Sequence, residues 1–229
     1  MELDIAARLA QVRQRIATAA TRAARDPSEI TLVAVGKTFP AEVLAAAVAA
    51  GATDLGENRV QEASAKKDQV PPATWHLIGP LQRNKAGRAL ELFDVIHTLD
   101  RIELAERLQR LLASDWPGRR LPVLLEVNVA GEPQKAGVLP EEASELLAAA
   151  RDCPNLDVIG LMAIPPFELD ADGARPYFRA LRELRDALED ASSLPLPQLS
   201  MGMSHDFEVA IAEGATMVRV GTAIFGQRQ

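Results

Sequence analysis

A parallel (β/α)8 TIM barrel preceded by one additional N-terminal helix is the α/β architecture this sequence predicts, and three observations carry it. Eight short β-branched or apolar runs recur along the chain, and longer stretches rich in alanine, leucine and glutamate alternate with them. The runs are apolar almost throughout, as strands buried on both faces must be.

The leading helix spans residues 2–25, with Ile5, Leu9, Val12 and Ile16 at helical spacing and Asp26-Pro27 as the stop. Strands are predicted at 31–35, 52–55, 75–78, 95–98, 123–129, 158–163, 198–201 and 217–220, and helices near 41–50, 58–68, 83–92, 101–114, 140–151, 173–190 and 205–213. A doubly wound sheet usually has fewer strands, and its GxGxxG fingerprint is missing from the first strand-to-helix turn. "DWPGRRLP" (115–122) and "SSLPLPQ" (192–198) are short enough to be loops, so one domain over 1–229 is expected.

Composition narrows the function. Of 229 residues, 48% are hydrophobic and 25% charged, an ordinary globular balance. A formal charge of −7 offers no global positive field for phosphate backbones, which argues against nucleic acid as a partner. Cys153 is the single cysteine, so no internal disulfide can form. No apolar run approaches the ~20 residues that span a bilayer, and the charged, amphipathic N-terminus is unlike a secretory signal; no membrane association and a cytoplasmic location are expected.

In a parallel barrel, binding groups gather where strands end. Here "SMGMSHD" and "RVGTAIFG" close strands seven and eight, bringing Ser200, Gly202 and Ser204 on one side and Gly221 with Thr222 on the other, a set suited to cradling phosphate. Lys37 ends strand one, where desolvation would lower its pKa and make the amine a nucleophile for carbonyls. An aldehyde carrying a phosphate satisfies both ends, and pyridoxal 5'-phosphate (PLP) has that layout. Arg219, two residues before Gly221, could meet the pyridine nitrogen and keep it unprotonated, which disfavours demanding carbanion chemistry.

Taken together, "VAVGKTFP", "GATDLGENRVQE", "WHLIGPLQRNK", "VNVAGEPQKAG", "GLMAIP", "LSMGMSHDFEVAI" and "MVRVGTAIFG" resemble the YggS/PROSC family of pyridoxal phosphate homeostasis proteins over residues 30–227. The resemblance implies a barrel similar to the N-terminal domain of bacterial alanine racemase, PLP held as a Schiff base on Lys37, and no established catalysis. It also implies phosphate contacts from Ser200, Gly221 and Thr222, with Gly202, Met203 and Ser204 near them. Arg219 would face the ring nitrogen, Asn58 would lie near the ring, and Ile78 and Met162 would form pocket walls. Gly36 stands where the family commonly has serine.

Lys85 and Lys135 fall in loops on the same face, either as solvated lysines or as groups that attract the anionic cofactor. His76 and His97 are expected in the core or behind the site and His205 at a helix start; metal spacing is missing. A racemase needs a second base, and the one tyrosine, Tyr177, suits packing in a helix. The expected function is therefore intracellular PLP homeostasis, buffering the cofactor and delivering it to PLP-dependent apoenzymes as a monomer without robust catalysis. The alternative is a weak amino acid racemase or another PLP-dependent Schiff-base enzyme.

Overall fold

The computed structural model describes residues 4–166 and 170–227. In chain order it runs α1 (Ile5–Arg22), β1 (Thr31–Val35), α2 (Ala41–Ala49), β2 (Asp54–Glu57), α3 (Val60–Lys66), β3 (Thr74–Leu77), α4 (Ala86–Leu92), β4 (Val95–Leu99), α5 (Ile102–Asp115), β5 (Leu121–Glu126), α6 (Ala143–Arg151), β6 (Leu156–Met162), α7 (Ala171–Ser192), β7 (Gln198–Ser200), α8 (Phe207–Ala212), β8 (Met217–Val220) and α9 (Thr222–Phe225). All eight strands pair in parallel in sequence order, and β8 closes on β1.

Side-chain alternation along each strand divides the molecule into two cores. In β1, Leu32 and Ala34 pack outward with the helices, while Val33 and Val35 turn inward beside Gly56 and Ile78. The outer core is one continuous apolar layer reaching from Leu9 and Val12 of α1, through Leu108 of α5, to Phe178 of α7 and Phe207 of α8. Inside the barrel the separate apolar cluster is small: Val95, Leu124, Met162 and Met217.

The extra helix α1 covers α8 and α9. Arg15 pairs with Glu208 at 2.7 Å and lies 4.5 Å over the Phe207 ring. Residues 2–3 of its predicted start lie outside the described residues.

Several boundaries move, each for a local reason. The second strand begins at Asp54 because the Ala52 amide still closes the last turn of α2, donating to Ala47 O at 2.9 Å. The fifth ends at Glu126; Val127 N still donates to Met162 O at 2.8 Å, but Val127 pairs onward with Val138 instead of extending the strand. Helix α7 starts earlier than predicted because the Asp170 carboxylate accepts from Gly173 N at 2.7 Å, capping a helix that continues through Pro176. Three predicted helix starts or ends are 3-10 turns instead: Lys67–Gln69, Arg83–Lys85 and Pro140–Glu142. The four-residue α9 was not expected.

Candidate functional site

Lys37 stands two residues beyond Val35, in phase with the inward side of β1, and its flanking peptides are clamped. Gly36 N donates to Gly56 O at 3.0 Å, and the buried Lys66 ammonium donates to Gly36 O at 3.1 Å and to Glu57 Oε1 at 2.7 Å. On the other side Thr38 adopts a left-handed φ of 69°, and its amide donates to Glu62 Oε2 at 3.1 Å. A non-glycine residue rarely sits there unless its surroundings compel it. Burial pushes the Glu57 carboxyl up to about 7 despite Lys66 beside it, and Glu62 adds to the rise. The absent serine also has an explanation: a Cβ on Gly36 would stand 2.7 Å from Leu44, which fills that space.

Arg219 is buried at the mouth, with Val33 of β1 as its register partner. Its Nη1 donates to Ser200 O and Ser200 Oγ, both at 2.6 Å, and its Nη2 donates to Ala163 O at 3.0 Å. Burial lowers its pKa to about 10, with Glu126 and Asp206 opposing, so it stays charged at neutral pH. Behind it runs a polar seam: His97 Nδ1 lies 2.8 Å from Ser200 Oγ, His97 Nε2 lies 2.8 Å from His76 Nδ1, and His76 Nε2 lies 2.9 Å from Asp54 Oδ1. The Ser200 hydroxyl thus faces the barrel interior, where it engages His97 and Arg219. His76 and His97 are core residues, as expected.

The remaining cradle residues meet between β7 and β8. Gly202 has φ of 93°, and a Cβ there would come within 2.6 Å of Ala210 Cβ, so the tight turn needs glycine. The buried Asp206 carboxylate accepts from Met203 N at 2.5 Å and shapes the loop. Ser204 Oγ accepts from Ala223 N at 3.3 Å, bringing this loop against Gly221 and the exposed Thr222 at the start of α9. Gly221 packs so closely on β1 that an added Cβ would stand 3.2 Å from Val35 O. His205 is exposed at the turn before α8.

Across the mouth, Asn58 and Ile78 line a cavity of about 200 Å³ with Glu126, Asn128, Lys135 and Ile164. Met162 lies in the barrel's inner apolar cluster, not among that cavity's lining residues. Lys135 donates to Pro165 O at 3.1 Å and pairs with Glu132, which ties it down as a structural loop lysine at the cavity rim. Lys85 lines a neighbouring cleft of about 720 Å³ with Asn58, Arg59 and Gln82.

Glu126 was missed from the sequence. Its Oε2 is buried without a hydrogen-bond partner, and burial together with the Asp100 charge pushes its pKa up to about 7 against the pull of Arg219. A carboxylate ending an apolar strand, "LPVLLE", is the signal that could have found it. No cluster of three or more metal-ligating side chains exists among the described residues.

A buried arginine between a strand-end lysine and a turn of glycines and hydroxyls, all at the C-terminal mouth of a closed parallel barrel, defines a class. Residues 7–229 match the family of the alanine racemase N-terminal domain. The alanine racemase of Clostridium difficile superposes with a TM-score of 0.73 at 14% identity, over 94% of this chain and 55% of that one, which shows a shared fold.

Within that class the chain belongs to the pyridoxal phosphate homeostasis proteins. It is 46% identical over 224 residues to the one from Aquifex aeolicus, covering 97% of each, and 44% identical over 235 residues to the one from Escherichia coli, covering 98% of this chain and 97% of that protein. The structure of PipY from Synechococcus elongatus with PLP bound superposes with a TM-score of 0.85 at 39% identity, over 97% of this chain and all of PipY.

Proposed function

We propose that this protein binds PLP at the barrel mouth, with Lys37 holding it as a Schiff base, and that it buffers the cofactor and delivers it to PLP-dependent apoenzymes without robust catalysis of its own. The observation that carries the reading is Arg219. It is a buried cation fixed by Ser200 and Ala163, with β1, which leads to Lys37, on one side and the turn at Gly221 on the other. The PLP-bound PipY relative and the names of the homeostasis proteins support the same cofactor.

The residues present fit that group. Gly221 lets the turn approach β1, where an added Cβ would press on Val35 O, and Gly202 permits the tight turn that carries Met203 and Ser204. Bound PLP supplies a reactive aldehyde, a phosphate and a pyridine ring whose protonation governs how well it stabilises a carbanion. The clamps on Gly36 and Thr38 hold the Lys37 backbone in one place, so its amine needs little reorganisation to reach the mouth. Ser204, Gly221 and Thr222 offer hydroxyl and backbone N–H groups for an anion. Arg219 donates hydrogen bonds and keeps its own protons, and it would leave a ring nitrogen facing it unprotonated. Asn58 and Ile78, which line the cavity at the mouth, would stand beside the ring. Tyr177 lies half-buried in the outer helix α7.

Two assays test the proposal. Titration with PLP should produce an absorption band in the wild type that Lys37→Ala lacks, and PLP-loaded protein should reactivate a PLP-dependent apoenzyme. Robust racemisation of any amino acid would instead establish an enzyme.

A further inference from the structure

The polar seam inside the barrel carries information beyond the distances between its members. Asp54 opens β2, where it lines a cavity at the N-terminal end of the barrel with Thr53, Ser28 and Arg13. Burial raises its pKa, but hydrogen bonds from His76 and Thr53 outweigh this and hold the carboxyl below its usual range. It is therefore an anion and can only accept hydrogen bonds.

That single constraint orders the whole seam. His76 must place a proton on Nε2 to meet Asp54, so a neutral His76 offers only a lone pair at Nδ1. His97 must then carry its proton on Nε2, where the two rings meet at 2.8 Å. Complete burial, with the Arg219 charge nearby, pushes the His97 pKa well down and keeps it neutral, so its Nδ1 accepts from the Ser200 hydroxyl. The lone pairs of Ser200 Oγ are left for Arg219 Nη1 at 2.6 Å. Every donor points from β8 toward β2, through residues on five strands.

We propose that Asp54, His76, His97 and Ser200 are positioning residues for Arg219, forming a one-way hydrogen-bond relay by which a carboxylate at the far end of the barrel fixes the guanidinium at its mouth. An anion is needed at the origin: an amide there could also donate, and the direction of every bond beyond it would cease to be imposed. The purpose of the relay rests on the PLP reading, whereas its existence does not.

Nuclear magnetic resonance on 15N-labelled protein without PLP decides the existence. Long-range proton–nitrogen correlations should show the Nε2–H tautomer for both His76 and His97. In Asp54→Asn, His97, which Asp54 does not touch, should lose its single tautomer. The Arg219 guanidinium signals, assigned by their disappearance in Arg219→Lys, should show faster rotation. In Ser200→Ala, His97 should shift while His76 keeps its Nε2 proton, which serves as a second test if Asp54→Asn folds poorly.

An Nδ1–H tautomer of His97 in the wild type would overturn the relay. So would a folded Asp54→Asn protein with unchanged His97 and Arg219 signals. Asp54→Asn should also weaken PLP binding by about tenfold, the size expected for loosening a charged hydrogen-bond donor, with Lys37 still the attachment point. Unchanged affinity would refute the positioning role, while a wild type that binds no PLP would refute the proposed function and leave the tautomers to decide the relay.

Discussion

The two cores of this barrel differ in chemistry although the same strands build both. Between strands and helices the residues are mostly apolar, the buried Glu57–Lys66 pair being an exception, and Leu55, Ile96, Leu108, Leu125 and Leu161 are fully buried there. Inside the ring, a small apolar cluster and inward-facing valines share the space with Asp54, His76, His97, Glu126, Ser200 and Arg219. The outer layer supplies stability, because burial of apolar area is its main business. The inner layer accepts the cost of desolvating charge and uses it to hold one guanidinium in place. Stability and function are thus separated by the two-residue alternation of the strands.

That separation can be broken first from the outside. Phe178→Ala, in the outer core at 1% exposure, should cost about 3–5 kcal/mol in urea unfolding yet leave the PLP affinity of the folded protein unchanged. A large affinity loss would show that the two cores are coupled.

The inner core should reveal itself through pH. The folded pKa of Glu126 is raised from 4.5 to about 7, so its contribution to stability is fully present below about 4.5 and is lost as pH rises through 7. Glu57, also raised to about 7, acts in the same window. Glu126→Gln should remove its share of that decline, on the order of 2–3 kcal/mol above pH 7, measured as urea midpoints across pH. An unchanged slope would place Glu126 outside the buried interior.

Gly202→Ala joins the two regions, since its Cβ would strike Ala210 of the outer helix α8 from the cradle loop. A loss of roughly 1–2 kcal/mol is expected from the left-handed backbone and the clash, together with weakened PLP binding. Stability alone falling would remove that turn from the site. At the surface, Arg120→Ala breaks an exposed pair with Asp157 at 3.3 Å and should change stability by less than about 0.5 kcal/mol.

The same division explains what the sequence could show. Eight strands were legible because each is a short, mostly apolar run, and Lys37, Arg219 and the glycines of the cradle stood out because they lie at or near strand ends. Boundaries blurred where loop residues are themselves apolar, as at Ala52 and Val127–Val129, and α9 has only four residues. The inner core was hidden for a different reason. Asp54 and His76 are 22 residues apart, His76 and His97 are 21 apart, and His97 and Ser200 are 103 apart, so no local pattern joins them. The partners of Ser200 were hidden on the same ground: its place at the end of strand seven suggests an anion, while His97 and Arg219, which it meets, lie on other strands.

The most direct test of the account is borohydride reduction of the PLP-loaded protein followed by mass spectrometry of its peptides. The account requires the pyridoxyl group on Lys37, in the peptide that contains "VAVGKTFP". Labelling of Lys66, Lys85 or Lys135 in its place would contradict it.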